Sequence, residues 1–548
     1  MEKRKSGKKI SFVAQGGMEH YTLLICYLIG ALRMFFFLNK VSGEGISHYA
    51  FAFEGYTILY ILCSLAISKV LARMVNARQT RKQYRNRIRL FRYVLLRVSI
   101  LSIFFGIIVF FLADRIGRAL LGNANSALTL QCLGLALIPT ALFAVLGYYF
   151  NGMGFKIPYC IAQIIEQLVN LAVTLLAANL LFGYGNKVSA LLVDDTRKNA
   201  FGAAAGAIGV FAGSVFGILF LLLIMTLLRQ IFAGDRREDA TRAKESFGEI
   251  ARNAEYLGLK TMLPLLFTSL AVFLNQLLYF KFSKGDPAVL ASEYGIYYAQ
   301  VRIWVFFPIL FAAMLENTLS GQLKRVLKKE DYQYANDRIG KSLKELMNLL
   351  IPSAVFVFVC AKPLIRLFYK GNTDLAVSLL KVSAVLIILN GISSVFTAVL
   401  RSLEKDWILA GMQAAACIVE VLSFGLIFIG SDRPVMGLVY AMLTAAVVRL
   451  FGLGMIVMVK LKYSPEIVFT FGLPFILSAV IGGIDFLICL FLADVLGSIF
   501  TLLICGLISS VLYMGAVITT RTLSTNELLE MPLGQYWCKI ARYVGLID

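Results

Sequence analysis

The stretch IPYCIAQIIEQLVNLAVTLLAANLLF, residues 157–182, is apolar and long enough to cross a lipid bilayer as a helix. Its first half nevertheless carries Gln163, Glu166, Gln167 and Asn170, whose spacing places them on one narrow face of that helix. If this face pointed to lipid, its polar groups would lack hydrogen-bonding partners, so we expect it to face the protein interior or water. It either bonds neighbouring helices or forms the wall of a cavity that binds a polar ligand.

The composition of the whole chain predicts an integral membrane protein. Of the 548 residues, 59% are hydrophobic and only 16% are charged, far less charge than a soluble chain of this length carries. We predict an all-α polytopic membrane protein with fourteen transmembrane helices, each of about 20 residues, in two pseudo-symmetric lobes around a central cavity. The predicted spans are 19–38, 49–72, 94–114, 128–150, 158–182, 203–228, 259–282, 294–319, 345–368, 376–401, 407–430, 435–459, 468–494 and 497–520.

Basic residues are concentrated in alternate loops. The loops on one side of the predicted spans hold about 34 Lys and Arg, and those on the other side hold about nine. The positive-inside rule therefore predicts a multi-pass protein of the plasma membrane with both termini in the cytoplasm. We interpret the net charge of +21 as a signal for orientation and for contact with anionic membrane lipids, and we expect no nucleic acid partner.

This topology predicts six segments along the chain. They are a cytoplasmic basic N-terminus at 1–18, an N-lobe of helices 1 to 6 at 19–228, a cytoplasmic linker at 229–258, a C-lobe of helices 7 to 12 at 259–459, helices 13 and 14 at 460–520, and a cytoplasmic amphipathic tail at 521–548. Within the tail, Ser524 and Glu527 have the spacing of a capping box. When the two halves are aligned, Gln163 coincides with Gln413 and the position of Asn170 with that of Glu420, which indicates an internal repeat.

Residue types that bind metals or catalyse reactions are sparse. The chain has two histidines, and eight of its nine cysteines lie in predicted spans without a Cys-x-x-Cys pair. We therefore predict free packing thiols, with no disulfide, no metal site and no cofactor. The sequence has no nucleotide-binding motif, and the acidic pair Asp194–Asp195 lies in a short predicted outer loop. These features argue against an ATP-driven pump and against an enzyme.

Several segments resemble those of a known transporter family. They are AFEGYTILYILCSLAISKVLARMVNAR at 52–78, YYFNGMGFKIPYCIAQIIEQLVN at 148–170, PLIRLFYKGN at 363–372, VLRSLEKDW at 399–407 and STNELLEMPLGQYWCKIARYVGLID at 524–548. On these segments the chain resembles the MOP superfamily of exporters, specifically the polysaccharide and lipid-linked oligosaccharide flippases similar to stage V sporulation protein B and MurJ. The resemblance implies fourteen helices in two lobes that open a central cavity alternately to the cytoplasm and to the outside.

The resemblance also implies roles for two arginines. Arg33 in CYLIGALR falls on the helix 1 arginine of MurJ-like members, and Arg302 in YYAQVRIWVFFP lies close to their helix 8 arginine. In those members the two arginines face the cavity and hold the diphosphate of the substrate. This chain departs from the pattern elsewhere, because the second helix 1 arginine falls on Tyr27 and the helix 2 arginine pair falls on Tyr60 and Ile61.

Further polar residues in the spans are candidates for binding, gating or ion coupling. Amides and carboxylates offer the donors and acceptors that sugar hydroxyls need. The predicted sugar-binding set is Gln163, Glu166, Gln167, Asn170, Asn275 and Gln276. Similar depths in successive helices predict the ion pairs Arg33–Glu54 and Glu420–Arg449, which either hold two helices together or act as gating or ion-coupling elements. Asp485, midway along a predicted span, is a weaker candidate.

These features together predict a transporter that flips a polyprenyl-diphosphate-linked saccharide, such as a lipid II-like molecule or a polysaccharide repeat unit, from the inner to the outer leaflet. One alternative is a multidrug or cation antiporter of the same superfamily. An alternative of another class is a polytopic membrane glycosyl- or acyltransferase. We expect the protein to act as a monomer among membrane lipids, with cell-envelope synthesis enzymes as further partners.

Overall fold

The structure is a computed structural model that describes residues 11–121, 124–193, 196–231, 238–369, 373–431, 433–543 and 545. Within these residues every regular element is a helix, in agreement with the predicted all-α class. The acidic pair Asp194–Asp195 lies outside the described residues. The α-helices are α1 Phe12–Gln15, α2 Met18–Tyr60, α3 Ala66–Thr80, α4 Tyr84–Leu121, α5 Ala127–Gly152, α6 Lys156–Leu192, α7 Thr196–Leu227, α8 Phe247–Phe282, α9 Pro287–Ile296, α10 Arg302–Leu327, α11 Tyr332–Val359, α12 Ala361–Phe368, α13 Asp374–Ser383, α14 Val385–Ser402, α15 Asp406–Ser423, α16 Pro434–Leu461, α17 Leu473–Thr519, α18 Thr525–Glu530 and α19 Gly534–Tyr543.

Short segments of tighter or wider helix join several of these elements. A 3₁₀ turn at Ala124–Ser126 precedes α5. Among the described residues, four π-helical segments of five residues each join two α-helices, end one or begin one. They are Ile61–Leu65, Tyr297–Val301, Phe424–Phe428 and Val468–Gly472. Such π segments interrupt the regular hydrogen bonding and are frequent near functional sites, and Tyr297–Val301 directly precedes Arg302.

Thirteen helices among the described residues are long and apolar enough to cross a membrane. The first of these, Met18–Thr80, is 63 residues long, which at about 1.5 Å per residue is roughly three times the thickness of the hydrocarbon core. It contains both predicted spans 19–38 and 49–72, and the backbone between them is non-helical at Ser42 (φ 74°, ψ 169°). Because these two predicted spans form one continuous helix, the described residues contain thirteen such helices where fourteen spans are predicted. The count of fourteen transmembrane helices stays a prediction.

Two later predicted spans also meet breaks in the helices. The predicted span 345–368 is interrupted at Cys360, where ψ of 17° ends α11 and α12 begins at the next residue. Helix α17 bends at Gly497, whose φ of 77° and ψ of 165° suit glycine because it has no side chain. This bend separates the predicted spans 468–494 and 497–520.

The chain divides into two compact units. The N-unit consists of Thr22–Ala299 and Glu420–Leu438, and the C-unit consists of Gln300–Val419 and Val439–Asp548 with the residues before Thr22. Helix α8, which the sequence assigns to the second lobe, groups with the N-unit. The predicted boundaries of the other segments stay predictions.

Within the N-unit, small residues allow α6 and α7 to pack closely. A Cβ atom on Gly209 would lie 2.0 Å from Oγ1 of Thr174, and one on Gly213 would lie 2.5 Å from the backbone oxygen of Glu166. No side chain fits at either position, so these glycines bring the two helices together. The close packing fixes α6 against α7 along the polar face of α6.

The tail of the chain packs within the C-unit. The predicted capping box is present, because Oγ of Ser524 accepts a hydrogen bond from the Glu527 amide and the Glu527 carboxylate accepts one from the Ser524 amide. The tail helices α18 and α19 follow, separated at Met531–Leu533. An ion pair of 2.7 Å between Arg338 of α11 and Glu530 anchors α18.

Candidate functional site

The polar residues of the N-unit converge on Arg33, which lies in α2. Its Nη1 donates hydrogen bonds to the hydroxyl of Tyr49, at 3.2 Å, and to Oδ1 of Asn170, at 3.5 Å. The guanidinium also lies 5.8 Å from the centre of the Tyr49 ring, which is within the range of a cation–π contact. Oδ1 of Asn170 accepts a second hydrogen bond from Oγ1 of Thr174. We call Arg33, Tyr49, Asn170 and Thr174 the Arg33 cluster.

The polar face of α6 continues from the Arg33 cluster toward the start of the helix. Nε2 of Gln167 donates to the Glu166 carboxylate at 2.7 Å, and Nε2 of Gln163 donates to the Tyr159 hydroxyl at 3.0 Å. Asn170 is buried, whereas Gln163, Glu166 and Gln167 are half-buried. These three side chains are therefore partly accessible.

An aromatic ladder on α2 lies beside this polar face. Tyr49 stacks on Phe53, Phe53 contacts Tyr56, and Tyr56 stacks on Tyr60, with ring centres 5.4, 5.7 and 6.2 Å apart. Tyr49 of this ladder accepts a hydrogen bond from Arg33, which also bonds Asn170 of the polar face. Neither Tyr49 nor the ladder was predicted from the sequence, although the spacing of four, three and four residues places all four rings on one face of a helix.

The predicted Arg33–Glu54 ion pair is wrong. Arg33 bonds Tyr49 and Asn170, and none of the ion pairs among the described residues joins it to Glu54. The prediction rested on equal depth in two successive helices, but depth does not specify the direction in which a side chain points around the helix axis. Glu54 is itself buried, with 6% of its surface exposed.

The second polar group of the N-unit links α8 and α15. Nδ2 of Asn275 donates to Oε1 of Glu420 at 2.9 Å. Gln276 next to it is 1% exposed, and neither its amide nitrogen nor its amide oxygen has a hydrogen-bonding partner among the described residues. Burying an amide without a hydrogen-bonding partner lowers protein stability by about 1–3 kcal/mol. Gln276 therefore does not stabilise the fold through this amide, which makes it a candidate for ligand binding.

The C-unit holds the remaining candidates. Arg302 begins α10, and its guanidinium lies 5.5 Å from the centre of the Phe306 ring. Arg449 donates a hydrogen bond to Oδ1 of Asn390. Because Glu420 belongs to the N-unit and Arg449 to the C-unit, the predicted Glu420–Arg449 pair stays a prediction.

A cavity of about 230 Å³ lies within the N-unit. Its walls are apolar and come from α2, α4, α5 and α8, with Phe51, Tyr56 and Phe273 among them. This lining suits hydrocarbon and offers few partners for sugar hydroxyls. Tyr56 belongs both to this cavity and to the aromatic ladder.

The Arg33 cluster and the face of α6 together offer one guanidinium, one carboxylate, three amides and several hydroxyls within a helical unit. A guanidinium binds phosphate oxygens with its planar fork. Amides and hydroxyls bind sugars through paired donors and acceptors. The arrangement can therefore bind a ligand that has both anionic and hydroxyl groups.

Sequence comparisons show similarity to one family model and to two proteins of Bacillus subtilis (strain 168). The family model described as the lipid II flippase MurJ matches residues 188–374. Stage V sporulation protein B of Bacillus subtilis (strain 168) is 21% identical over 443 residues, which are 77% of this chain and 79% of that protein. Lipid II flippase MurJ of the same organism is 20% identical over 402 residues, 70% of this chain and 71% of that protein.

Structural comparisons identify the fold. The structure of lipid II flippase MurJ in an inward closed conformation superimposes with a TM-score of 0.61 at 16% identity, over 91% of this chain and 98% of that one. An inward-facing multidrug resistance MATE family transporter of the MOP superfamily gives a TM-score of 0.63 at 14% identity, over 80% of this chain and 95% of that one. These matches confirm the resemblance found in the sequence, and the chain is a multi-pass membrane protein with the fold of the MOP superfamily exporters.

Proposed function

We propose that this protein is an alternating-access transporter that flips a polyprenyl-diphosphate-linked saccharide from the inner to the outer leaflet of the plasma membrane. In this proposal Arg33 and Arg302 bind the diphosphate. The polar face of α6, with Asn275 and Gln276 of α8, binds the saccharide. Glu54, Glu420 and Arg449 act in gating or ion coupling, and no covalent bond is made or broken.

The environment of Arg33 is the observation that carries the proposal. The two hydrogen-bond acceptors of Arg33 are neutral, and none of the described carboxylates forms an ion pair with it. A positive charge inside a membrane helix is costly, by at least about 2.5 kcal/mol on insertion scales, and its presence indicates a function. A diphosphate group would supply further negative charge and acceptor oxygens to this guanidinium.

The polar face of α6 supports the saccharide part of the proposal. Gln163, Glu166 and Gln167 are half-buried, and their present partners are neighbours on the same helix. Bonds within one helix can be exchanged for bonds to a ligand without separating two helices. The unpartnered amide of Gln276 offers a further donor and acceptor to a sugar.

The comparisons support the same substrate class. Stage V sporulation protein B and a protein described as a lipid II flippase are each similar to this chain over most of its length. The MurJ family match at 188–374 includes Asn275, Gln276 and Arg302. We further propose that both termini lie in the cytoplasm, that the protein acts as a monomer, and that enzymes of cell-envelope synthesis supply its substrate.

A second candidate is export of organic cations, which the structural similarity to MATE transporters favours. The TM-scores of the MATE and MurJ structures are nearly equal, so the fold does not separate the two functions. The sequence relatives favour the first function, because one of them is described as a lipid II flippase, and Arg33 would repel an organic cation. We therefore rank the lipid-linked saccharide first.

Depletion of the protein from its native cells tests the proposal. Lipid-linked saccharide precursors are then measured in each leaflet with an impermeant probe, alongside efflux of cationic dyes. We expect precursors to accumulate in the inner leaflet and dye efflux to stay unchanged. An unchanged distribution of precursors together with impaired dye efflux would contradict the proposal and favour the second candidate.

A further inference from the structure

Three cysteines from distant parts of the sequence meet within the C-unit. Sγ of Cys489 lies 3.7 Å from Sγ of Cys360 and 3.8 Å from Sγ of Cys505, and all three sulfurs lie within 4.8 Å of one another. Cys360 and Cys505 are fully buried, and Cys489 is half-buried. We call these residues the thiol cluster. The sequence predicted separate packing thiols, and it gave no sign of this convergence.

The spacing of the sulfurs matches the geometry of a metal–thiolate site. In a tetrahedral zinc site the Zn–S distance is about 2.3 Å, which places two sulfur ligands about 3.8 Å apart. The two shorter distances in the thiol cluster agree with this value. Sulfur ligands favour thiophilic ions such as Zn²⁺ and Cu⁺ over Mg²⁺ or Ca²⁺.

A buried carboxylate next to the thiol cluster provides an independent indication. Asp485 is 2% exposed, and its backbone oxygen lies 4.0 Å from Sγ of Cys505. One carboxylate oxygen accepts a hydrogen bond from Ser509, but Oδ1 has no partner among the described residues. A buried carboxylate oxygen without a partner is costly, and a bound cation nearby would offset that cost.

We propose that the thiol cluster binds one thiophilic metal ion, such as Zn²⁺, with Asp485 as a neighbouring carboxylate. Each of the three thiols releases its proton to water when it binds the ion, which leaves the Zn²⁺-bound site with one net negative charge. The ion links the break after α11, at Cys360, to the two arms of α17 that carry Cys489 and Cys505. Its role is structural, because it fixes the last two spans to the rest of the C-unit.

Titration of the purified full-length protein with Co²⁺ and Zn²⁺ tests the proposal. We expect one ion per chain, and Co²⁺ should give the near-ultraviolet charge-transfer band of cobalt–thiolate bonds. Cys360→Ser and Cys505→Ser should abolish this band, whereas the control Cys63→Ser should keep it, because Cys63 is a buried cysteine of the N-unit. Each variant is first checked for a monodisperse elution profile in detergent.

A second measurement needs no variant. Alkylation of each cysteine by N-ethylmaleimide is mapped by mass spectrometry with and without Zn²⁺. Selective protection of Cys489, the half-buried member of the thiol cluster, supports the proposal. It is overturned if the wild-type protein gives no cobalt–thiolate band, if the cluster variants bind as much metal as Cys63→Ser, or if two of the three cysteines are isolated as a disulfide.

Discussion

Replacement of Arg33 separates a role in substrate binding from a role in stability. In the structure its Nη1 makes two hydrogen bonds to neutral acceptors, at 3.2 and 3.5 Å, and the longer one is weak. Asn170 keeps its bond from Thr174 when Arg33 is removed. We therefore expect Arg33→Ala to lower the free energy of unfolding by only about 1 kcal/mol.

The expected effect on binding is larger. A hydrogen bond to a charged group contributes about 1.5–3 kcal/mol, so loss of the guanidinium should weaken binding of a polyprenyl diphosphate by roughly 10- to 150-fold. Arg33→Lys should lose less, because lysine keeps the charge but not the planar fork of donors. The contribution of Coulomb attraction should also make the wild-type affinity fall as salt concentration rises.

The assay is a titration of purified variants with a short-chain polyprenyl diphosphate in detergent, together with thermal unfolding of each variant. Arg118→Ala is the matched control, because Arg118 is an exposed arginine of the N-unit that pairs with Asp114. The reasoning is refuted if Arg33→Ala binds the diphosphate as tightly as Arg118→Ala does. A large fall in Tm with aggregation would instead identify Arg33 as a structural residue.

Three further predictions concern stability. Gly213→Ala should lower the Tm and displace α7, because the added Cβ would lie 2.5 Å from the backbone oxygen of Glu166. The control Gly183→Ala has open space around the added Cβ and should keep the Tm, so equal Tm values for the two variants would contradict the packing described for α6 and α7. Ser524→Ala removes the capping box of α18, which should lower the stability of this helix by about 0.5–2 kcal/mol and speed proteolysis of the tail. An unchanged rate of cleavage would count against this contact. Glu345→Gln should keep or raise the Tm, because Glu345 is fully buried and neither of its carboxylate oxygens is hydrogen-bonded to a described residue. A lower Tm for this variant would show that the charge of Glu345 stabilises the protein.

Local features of the sequence were predicted well because their causes are local. The length of the apolar stretches predicted the membrane helices, and the spacing of Ser524 and Glu527 predicted the capping box. The spacing on α6 predicted a shared polar face, and in the structure Arg33 bonds one of its members, Asn170.

Features that depend on distant parts of the chain were not predicted. The partner of Arg33 could not be read from depth alone, because Tyr49 and Glu54 lie on the same helix and differ in the direction of their side chains. The meeting of Cys360 with Cys489 and Cys505 depends on how α11 packs against α17, and neither segment shows this by itself. The partner of Glu420, Asn275 on α8, was missed for the same reason.

The central claim is that the protein moves a diphosphate-linked saccharide across a bilayer and that Arg33 binds its charged group. The most direct measurement is flipping in proteoliposomes that contain the purified protein and a fluorescent polyprenyl-diphosphate saccharide, with an impermeant quencher reporting the outer leaflet. We predict rapid quenching of the whole fluorophore pool with the wild type and with Arg118→Ala, and slow quenching of the inner pool with Arg33→Ala. Equal quenching in protein-free liposomes and in wild-type proteoliposomes would contradict the account.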